Sequence, residues 1–546
     1  MRKIFSKAGL LVLLAILGIS TVAFQVTDIY FLIKKNFSIF SKAYENVALE
    51  YVDEVDPEVL MRNGMEAMLE TLDPYTVFYN ESQNEQAEIF SRSNYAGVGI
   101  DAGFRDGEVV VVAPTEGGPA DQKGVRAGDV IVAIDGVSTE GLLPEEVQNL
   151  TMGEIGSSLT LTINRFGLDQ PIDFELTRAS IEIKNVTHTT HLGDNSEFGY
   201  IRLAQFGMNS ANEIRTAIEE LSADNALNGL VLDLRDNPGG ILQEAVAIVD
   251  KFVEPGITVV ETRGRIQEYN AAYETREPVM FDKPVIVLMN AGSASASEVV
   301  AGALQDLDRA VILGETSFGK GLVQIVKPMP YNTSMKITIS RYYTPSGRSI
   351  QSLAYTHQAR NASISRQETA NRVFKTRNGR DVKEGRGIEP DVQSGTSIPG
   401  LLEISLMQEG VYFDFATQFE SQNSSFESEQ MPDQVFEDFR VFLDESGFDY
   451  KTDSELLLEE LEAKHNNDEV KASIESIREV IQKEKEQNFK DSEQEIRKAL
   501  YLELISRYQG QTLQREASLR LDDQLEEAIN LLTNSDQVSS ILNGRG

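Results

Sequence analysis

Cysteine is absent from all 546 residues, and histidine occurs only four times, at His188, His191, His357 and His465. The first absence excludes disulfides, thiol nucleophiles, thiolate metal sites and a lipid-bearing amino-terminal cysteine together. The second leaves no ligand pattern such as H-E-x-x-H, so no His-based zinc site is expected and a catalytic base is expected from another residue type. Positive charge is scarce as well: 50 Lys plus Arg stand against 86 Asp plus Glu, a formal net charge of -36. Residues 401–546 alone carry 33 acidic against 14 basic side chains. Such a surface repels phosphate backbones, so nucleic acid is not an expected partner.

Apolar material is plentiful, at 41% of the chain. That suffices for two or three cores, because single domains commonly run to about 100–200 residues. At the amino end, Met1-Arg2-Lys3 and Lys7 precede an uncharged, mostly apolar run from Ala8 to Phe24. A positive segment followed by an apolar one is the pattern of an export signal. As a helix the run spans about 26 Å, against a hydrocarbon core of roughly 30 Å. Residues 1–24 therefore fit a cleaved signal or a retained membrane anchor, and the body of the chain is expected outside the cytoplasm.

Residues 25–88 read as a helical lead-in. Phe40, Tyr44, Val47 and Tyr51 recur at helical spacing, Pro57 can open a helix, and Pro74 turns Asp73 out of one. Residues 89–183 change to short β-rich runs, such as 109–112 and 159–163, separated by Gly-rich turns. From 184 to 398 apolar strands (229–234, 284–289) alternate with helical stretches (242–252), which implies an α/β core. Residues 399–546 are charged, rich in helix formers and poor in Gly and Pro. They read as a solvated helical appendage or dimerisation arm in which Leu456, Leu457, Leu458 and Leu461 need a partner surface.

Two segments can carry chemistry. Asn290-Ala291-Gly292-Ser293-Ala294-Ser295-Ala296-Ser297-Glu298 joins an apolar strand to a helical run over 299–307. Small residues there let a substrate approach the backbone, and N–H groups at a helix start favour a developing oxyanion. Ser295 with Glu298 three residues later is equally a capping box. The second segment is Gly314-Glu315-Thr316-Ser317-Phe318-Gly319-Lys320-Gly321. As a phosphate loop it has the G-x-x-x-x-G-K spacing, but Gly321 stands where Ser or Thr should hold magnesium, and 322–326 reads as strand. As an S-x-x-K motif, Ser317 to Lys320 lacks its helix. As a strand-borne general base, Lys320 shares a face with Gln324. A free lysine titrates near about 10.4, so this role needs burial to lower it by roughly three units, at a cost of about 4 kcal/mol.

Tyr95-Ala96-Gly97-Val98-Gly99-Ile100, Gly118-Pro119-Ala120, the run 124–131 and Ile134-Asp135-Gly136 together resemble a PDZ domain. The resemblance implies a loop of Ala96, Gly97, Val98 and Gly99, with Ile100 opening the next strand, that receives a terminal carboxylate while an added strand carries the peptide. Leu232-Asp233-Leu234-Arg235-Asp236-Asn237-Pro238-Gly239-Gly240, the 292–298 segment, and Phe318-Gly319-Lys320-Gly321 with Gln324 stand in the order and spacing of the carboxyl-terminal processing, or tail-specific, peptidases. Tyr342-Tyr343-Thr344-Pro345-Ser346-Gly347 and Gly387-Ile388-Glu389-Pro390-Asp391-Val392 extend the likeness, which covers about 38–398. It implies a multidomain α/β protein: a mixed α/β Ser-Lys peptidase core (184–398), an inserted mostly-β PDZ domain (89–183), and helical N- and C-terminal regions.

By the same resemblance Ser295 is the nucleophile, Lys320 its base and Gln324 the residue orienting Lys320. The oxyanion hole uses the N–H of Ala296 and of Gly239 or Gly240. Neither metal nor cofactor is implied. The partners implied are proteins or peptides with free carboxyl ends, with further copies of the chain and a membrane, reached through the amino-terminal segment, as additional ones. The location implied is periplasmic or membrane-anchored. The chain departs from the family in lacking basic residues over 150–157. The competing reading is a non-catalytic adaptor that binds carboxyl termini, from which the intact Ser295, Lys320 and Gln324 distinguish it.

Overall fold

A computed structural model describes residues 7–544 apart from 82, 85–93, 106, 143, 225, 353–371, 396–398 and 465–467. For 7–28 and a few helix ends it describes backbone only. The export or anchor segment 1–24, His357 and the inferred limits near 89 and 398 thus lie outside the residues described in full. Among the described residues no helix is long and apolar enough to cross a membrane.

The chain forms two compact units. The smaller holds the described residues of Met1–Asn80 together with Gln324–Thr338. In it the helix Lys7–Glu50 is followed by the helix Pro57–Leu69, which Asp56 caps through the N–H groups of Glu58 and Val59. The strand Val77–Tyr79 then pairs antiparallel with residues 334–336. Phe40 and Val47 on the first helix, and Tyr51 just beyond its end, are exposed.

Among its described residues the larger unit contains several separate hydrophobic cores. The β-rich module stacks Ile100–Arg105, Glu108–Pro114, Val130–Ile134, Ser158–Asn164 and Ile172–Thr177 into an antiparallel sheet. Alternate residues such as Val109, Val111, Leu159, Leu161 and Ile163 turn inward, as a period of two requires.

The segments singled out for chemistry follow strands of a six-stranded sheet. Its strands are β1 (Val186–Leu192), β2 (Phe198–Leu203), β3 (Gly229–Asp233), β4 (Val285–Met289), β5 (Val311–Gly314) and β6 (Val392–Gln393), in that spatial order. β1 runs antiparallel to β2, and every other pair is parallel. The helices α1 (Ser210–Asp224), α2 (Leu242–Val249) and α3 (Ala296–Asp306) pack on one face, against Leu230, Leu232, Val285, Val287 and Ile312. The other face, with Tyr200, Val231, Ile286, Leu288 and Leu313, is covered by α6 (Asp523–Thr533) and α7 (Ser535–Leu542) through Leu525, Ala528, Leu531, Leu532 and Val538. Burial on both faces is why β3, β4 and β5 are almost continuously apolar rather than alternating.

The acidic carboxyl-terminal region is therefore not an appendage. The helices α4 (Val411–Gln422) and α5 (Glu493–Arg520) build a third core around Phe415, Phe436, Phe439, Leu500 and Leu504, and α6 and α7 complete the peptidase sheet. Of the four leucines that needed a partner, Leu458 is buried, while Leu456, Leu457 and Leu461 remain exposed.

Candidate active site

Loops after β3, β4 and β5 leave the carboxyl ends of three adjacent parallel strands, where such sheets place their sites. The first two loops are stitched together. Ser293 donates its hydroxyl to the Leu234 carbonyl at 2.8 Å, and Ala294 N–H and the Ser297 hydroxyl both donate to the Asn237 carbonyl, at 3.0 and 2.9 Å. Asn290 and Asp236 exchange two further bonds.

Ser295 stands at the last position before α3, buried, with φ 57° and ψ −112°. A non-glycine residue held there stores backbone strain, which surrounding structure has to maintain. Gly239 presses directly on this turn: a Cβ at 239 would lie 2.7 Å from the Ala294 carbonyl oxygen and 2.8 Å from the Ala296 nitrogen. At Gly240 a Cβ would fall 2.3 Å from the Phe206 oxygen. Gly239 N–H donates to Asn237 Oδ1 at 2.9 Å. The N–H groups of Gly240 and Ala296 have no protein acceptor among the described residues.

Glu298, on the first turn of α3 and fully buried, joins the second loop to the third. Its Oε2 accepts the N–H of Ser295 at 2.8 Å and of Lys320 at 2.9 Å. Its Oε1 accepts the Gly319 N–H at 2.7 Å and the Ser317 hydroxyl at 2.6 Å. Burial pushes this carboxyl above its ordinary range, opposed by Ser317 and the three N–H donors. Phe318 N–H donates to the Ser293 carbonyl, adding a direct stitch. The carboxylate half of the capping box is thus real, but the same carboxylate also holds the lysine loop. Sequence reasoning saw Glu298 only as a cap; a lone acid in a run of small residues was the signal available.

Lys320 is half-buried and precedes the strand Leu322–Pro328 rather than lying on it, because the turn at Gly319 (φ 86°) ends only there. No helix follows the loop, so the phosphate-loop and S-x-x-K geometries are not formed. Tyr342, missed as a site residue, is buried; its N–H donates to the Gly321 carbonyl. Burial pushes its phenol up to about 12, and its side chain is a hydrogen-bond neighbour of Ser295.

Gln324 belongs to the smaller unit. There its Nε2 donates to Thr338 Oγ1 at 3.1 Å, and Thr338 Oγ1 donates to Asp73 Oδ1 at 3.2 Å. In the β-rich module Ala96 and Gly97 end a strand paired to residues 179–182, and Ile100 begins the next one. Between them the N–H groups of Val98 and Gly99 have no protein acceptor among the described residues, and Gly99 takes φ 72°. A cavity of about 1080 Å³ lies elsewhere, beside His188, Arg497, Tyr501, Arg520 and Asp522. It contains none of these residues, so hydrogen bonding and backbone geometry rather than volume mark the site.

Residues 197–359 match Peptidase family S41, 110–165 match a PDZ domain, and 402–532 match the C-terminal helical domain of a probable PDZ-protease. A carboxy-terminal-processing protease of Bartonella bacilliformis is 38% identical over 326 residues, covering 59% of this chain and 74% of that one. The carboxy-terminal processing protease CtpB of Bacillus subtilis is 34% identical over 310 residues, covering 56% of this chain and 64% of its own. Among solved structures, a photosystem II D1 C-terminal processing protease aligns at 30% identity with a TM-score of 0.35, covering 64% of this chain and 86% of that one. With its S41 core, its PDZ module and a relative matched over most of its length, the chain belongs to the carboxy-terminal processing proteases.

Proposed function

We propose that this protease is exported and cuts protein substrates near their carboxyl ends by acyl transfer, with Ser295 as nucleophile, Lys320 as general base and Gln324 orienting the lysine. Neutral Lys320 takes the Ser295 proton as Oγ attacks the scissile carbonyl. The N–H groups of Ala296 and Gly240 hold the oxyanion, since the Gly239 N–H is engaged by Asn237. Collapse expels the amine, which takes the proton back from the lysine, and water releases the acyl-enzyme. The loop 96–99 receives the substrate's terminal carboxylate.

One observation carries this reading: a single buried carboxylate, Glu298, accepts the backbone N–H of both Ser295 and Lys320. A helix cap needs only the first bond and a phosphate loop neither. The relatives' description as carboxy-terminal processing proteases supports the substrate class.

The test is cleavage of an unstructured protein with an apolar carboxyl end by residues 25–546, beside Ser295→Ala and Lys320→Ala, each checked for folding. Loss of cutting in both variants with tail binding retained is the expected result; cutting by Ser295→Ala sinks the assignment.

A further inference from the structure

Arg235 sits two residues beyond the end of β3 and opens the turn that runs through Asp236 (φ 58°) and Asn237 to Gly239 and Gly240. Its guanidinium is nearly buried and does not reach towards Ser295. It grips Asp233 with Nε and Nη2, at 3.0 and 2.6 Å, and its own backbone N–H donates to the same carboxylate at 2.9 Å. Asp233 is fully buried and also accepts the Tyr200 hydroxyl at 2.7 Å. Although burial opposes ionisation, the Arg235 charge and hydrogen bonds hold the Asp233 carboxyl below its ordinary range.

The remaining contacts come from the opposite end of the chain. Nη2 donates to Asp522 Oδ2 at 2.6 Å, and Nη1 to Gln524 Oε1 at 3.0 Å. Gln524 in turn donates to the Ser394 carbonyl. Asp522 uses its other oxygen to cap α6 through the Leu525 N–H, so its position is set by the helix that seals the sheet. A planar fork held on two sides by carboxylates has little freedom left, which is the property that suits arginine to such a place.

We infer that Asp522 is a positioning residue for acyl transfer, acting through Arg235 to fix the 234–240 turn beside Ser295. On this inference the carboxyl-terminal helices are a working part of the active site and not only a lid on the sheet. The inference rests on the reading of Ser295 as nucleophile and of this turn as an oxyanion donor. Small displacements at such a donor are costly, since a misplacement of about 1 Å can cost roughly a hundredfold in rate.

The experiment uses the full chain, parent and Asp522→Asn, with exposed Asp523→Asn as the neighbouring control and Ser295→Ala as the chemical control. Asn keeps a good helix cap while removing the charge. For each protein one measures kcat and KM on the unstructured substrate, the rate of Ser295 labelling by a small sulfonyl fluoride, hydrogen exchange over 234–240, and the thermal midpoint. Asp522→Asn is expected to lose roughly tenfold to a hundredfold in both kcat and labelling rate. Its KM should stay within about twofold, with faster exchange over 234–240 and a thermal midpoint close to that of Asp523→Asn. Unchanged kcat and labelling in a folded Asp522→Asn overturns the inference, as does a loss that appears only in KM. Activity or labelling in Ser295→Ala overturns the nucleophile assignment itself, and the inference with it.

Discussion

At the scale of single residues the site depends on positions where a change of one atom is felt. Gly239→Ala is expected to abolish detectable cleavage, because its Cβ would meet the Ala294 oxygen and the Ala296 nitrogen below 3 Å at a φ of 99°; a variant that folds and still cuts at even a tenth of the parent rate would refute this. Glu298→Gln replaces one acceptor oxygen by a donor facing N–H groups. With four donors now satisfied in a fully buried place, the variant should lose about 3 kcal/mol or more in urea unfolding. Its kcat should fall at least a hundredfold. Thr338→Val removes the acceptor that fixes the Gln324 amide, while Thr338→Ser keeps it. Cleavage should drop about tenfold in Val and recover in Ser; equal rates in the two would remove Thr338 from any role towards Gln324.

Much of this residue-level picture was legible in the sequence and part was not, for a physical reason. Gly239 and Gly240 were legible because close backbone approach admits few residue types, whereas Ser295 and Lys320 stood out through the order and spacing of their motifs. Glu298, Tyr342 and Asp522 did not, because a buried acid or phenol acquires its meaning from partners far away in sequence. The Arg235–Asp522 pair is 287 positions apart.

Elements were readable where packing is two-sided. The run 284–289 became β4 and 229–234 became β3, since strands buried on both faces leave an unbroken apolar signature. The helix expected over 242–252 ends at Val249, where Asp250 turns its carboxylate to the N–H groups of Arg276 and Glu277. What sequence could not reveal was the destination of α6, whose apolar stripe is ordinary for any amphipathic helix. Leu531→Ala should cost about 2–5 kcal/mol, measured by urea denaturation, because Leu531 is buried against the sheet. A loss below 1 kcal/mol would mean that α6 does not seal that face.

The pH dependence of the β3 end follows from the same packing. Asp233 is ionised more easily folded than unfolded, so its stabilising contribution is fully present above its unfolded value of about 3.9 and is lost as pH falls below that towards the folded pKa. Asp233→Asn should therefore show a flatter acid limb in its unfolding midpoint, and lower stability at neutral pH by less than the about 3–5 kcal/mol of a fully unpaired buried charge, because Asp522 still pairs with Arg235. An unaltered acid limb would mean that other carboxylates govern acid unfolding.

At the scale of the larger unit, the PDZ module is tied to the carboxyl-terminal helices. Arg507, on α5, donates to the Ala127 carbonyl and stacks its guanidinium over Phe413, while Arg105 pairs with Asp414 on α4. None of these contacts involves Ser295 or Lys320. Removing the module should thus change which tails are taken, or how readily, but leave Ser295 open to a small acylating probe in a folded deletion; a folded deletion that no longer labels would contradict this.

The sealing of the sheet by α6 also bears on the order in which the fold can be completed. Chains grow from the amino end, and β2 to β5 leave the exit tunnel long before Leu525, Ala528 and Leu531 are made. Throughout that interval Tyr200, Ile286, Leu288 and Leu313 present a bare apolar face, and Arg235 waits for its second carboxylate. Until those last helices are in place the sheet keeps one uncovered apolar side and the turn beside Ser295 lacks one of its two carboxylate anchors, so completion of the cleft is tied to the final stretch of the chain.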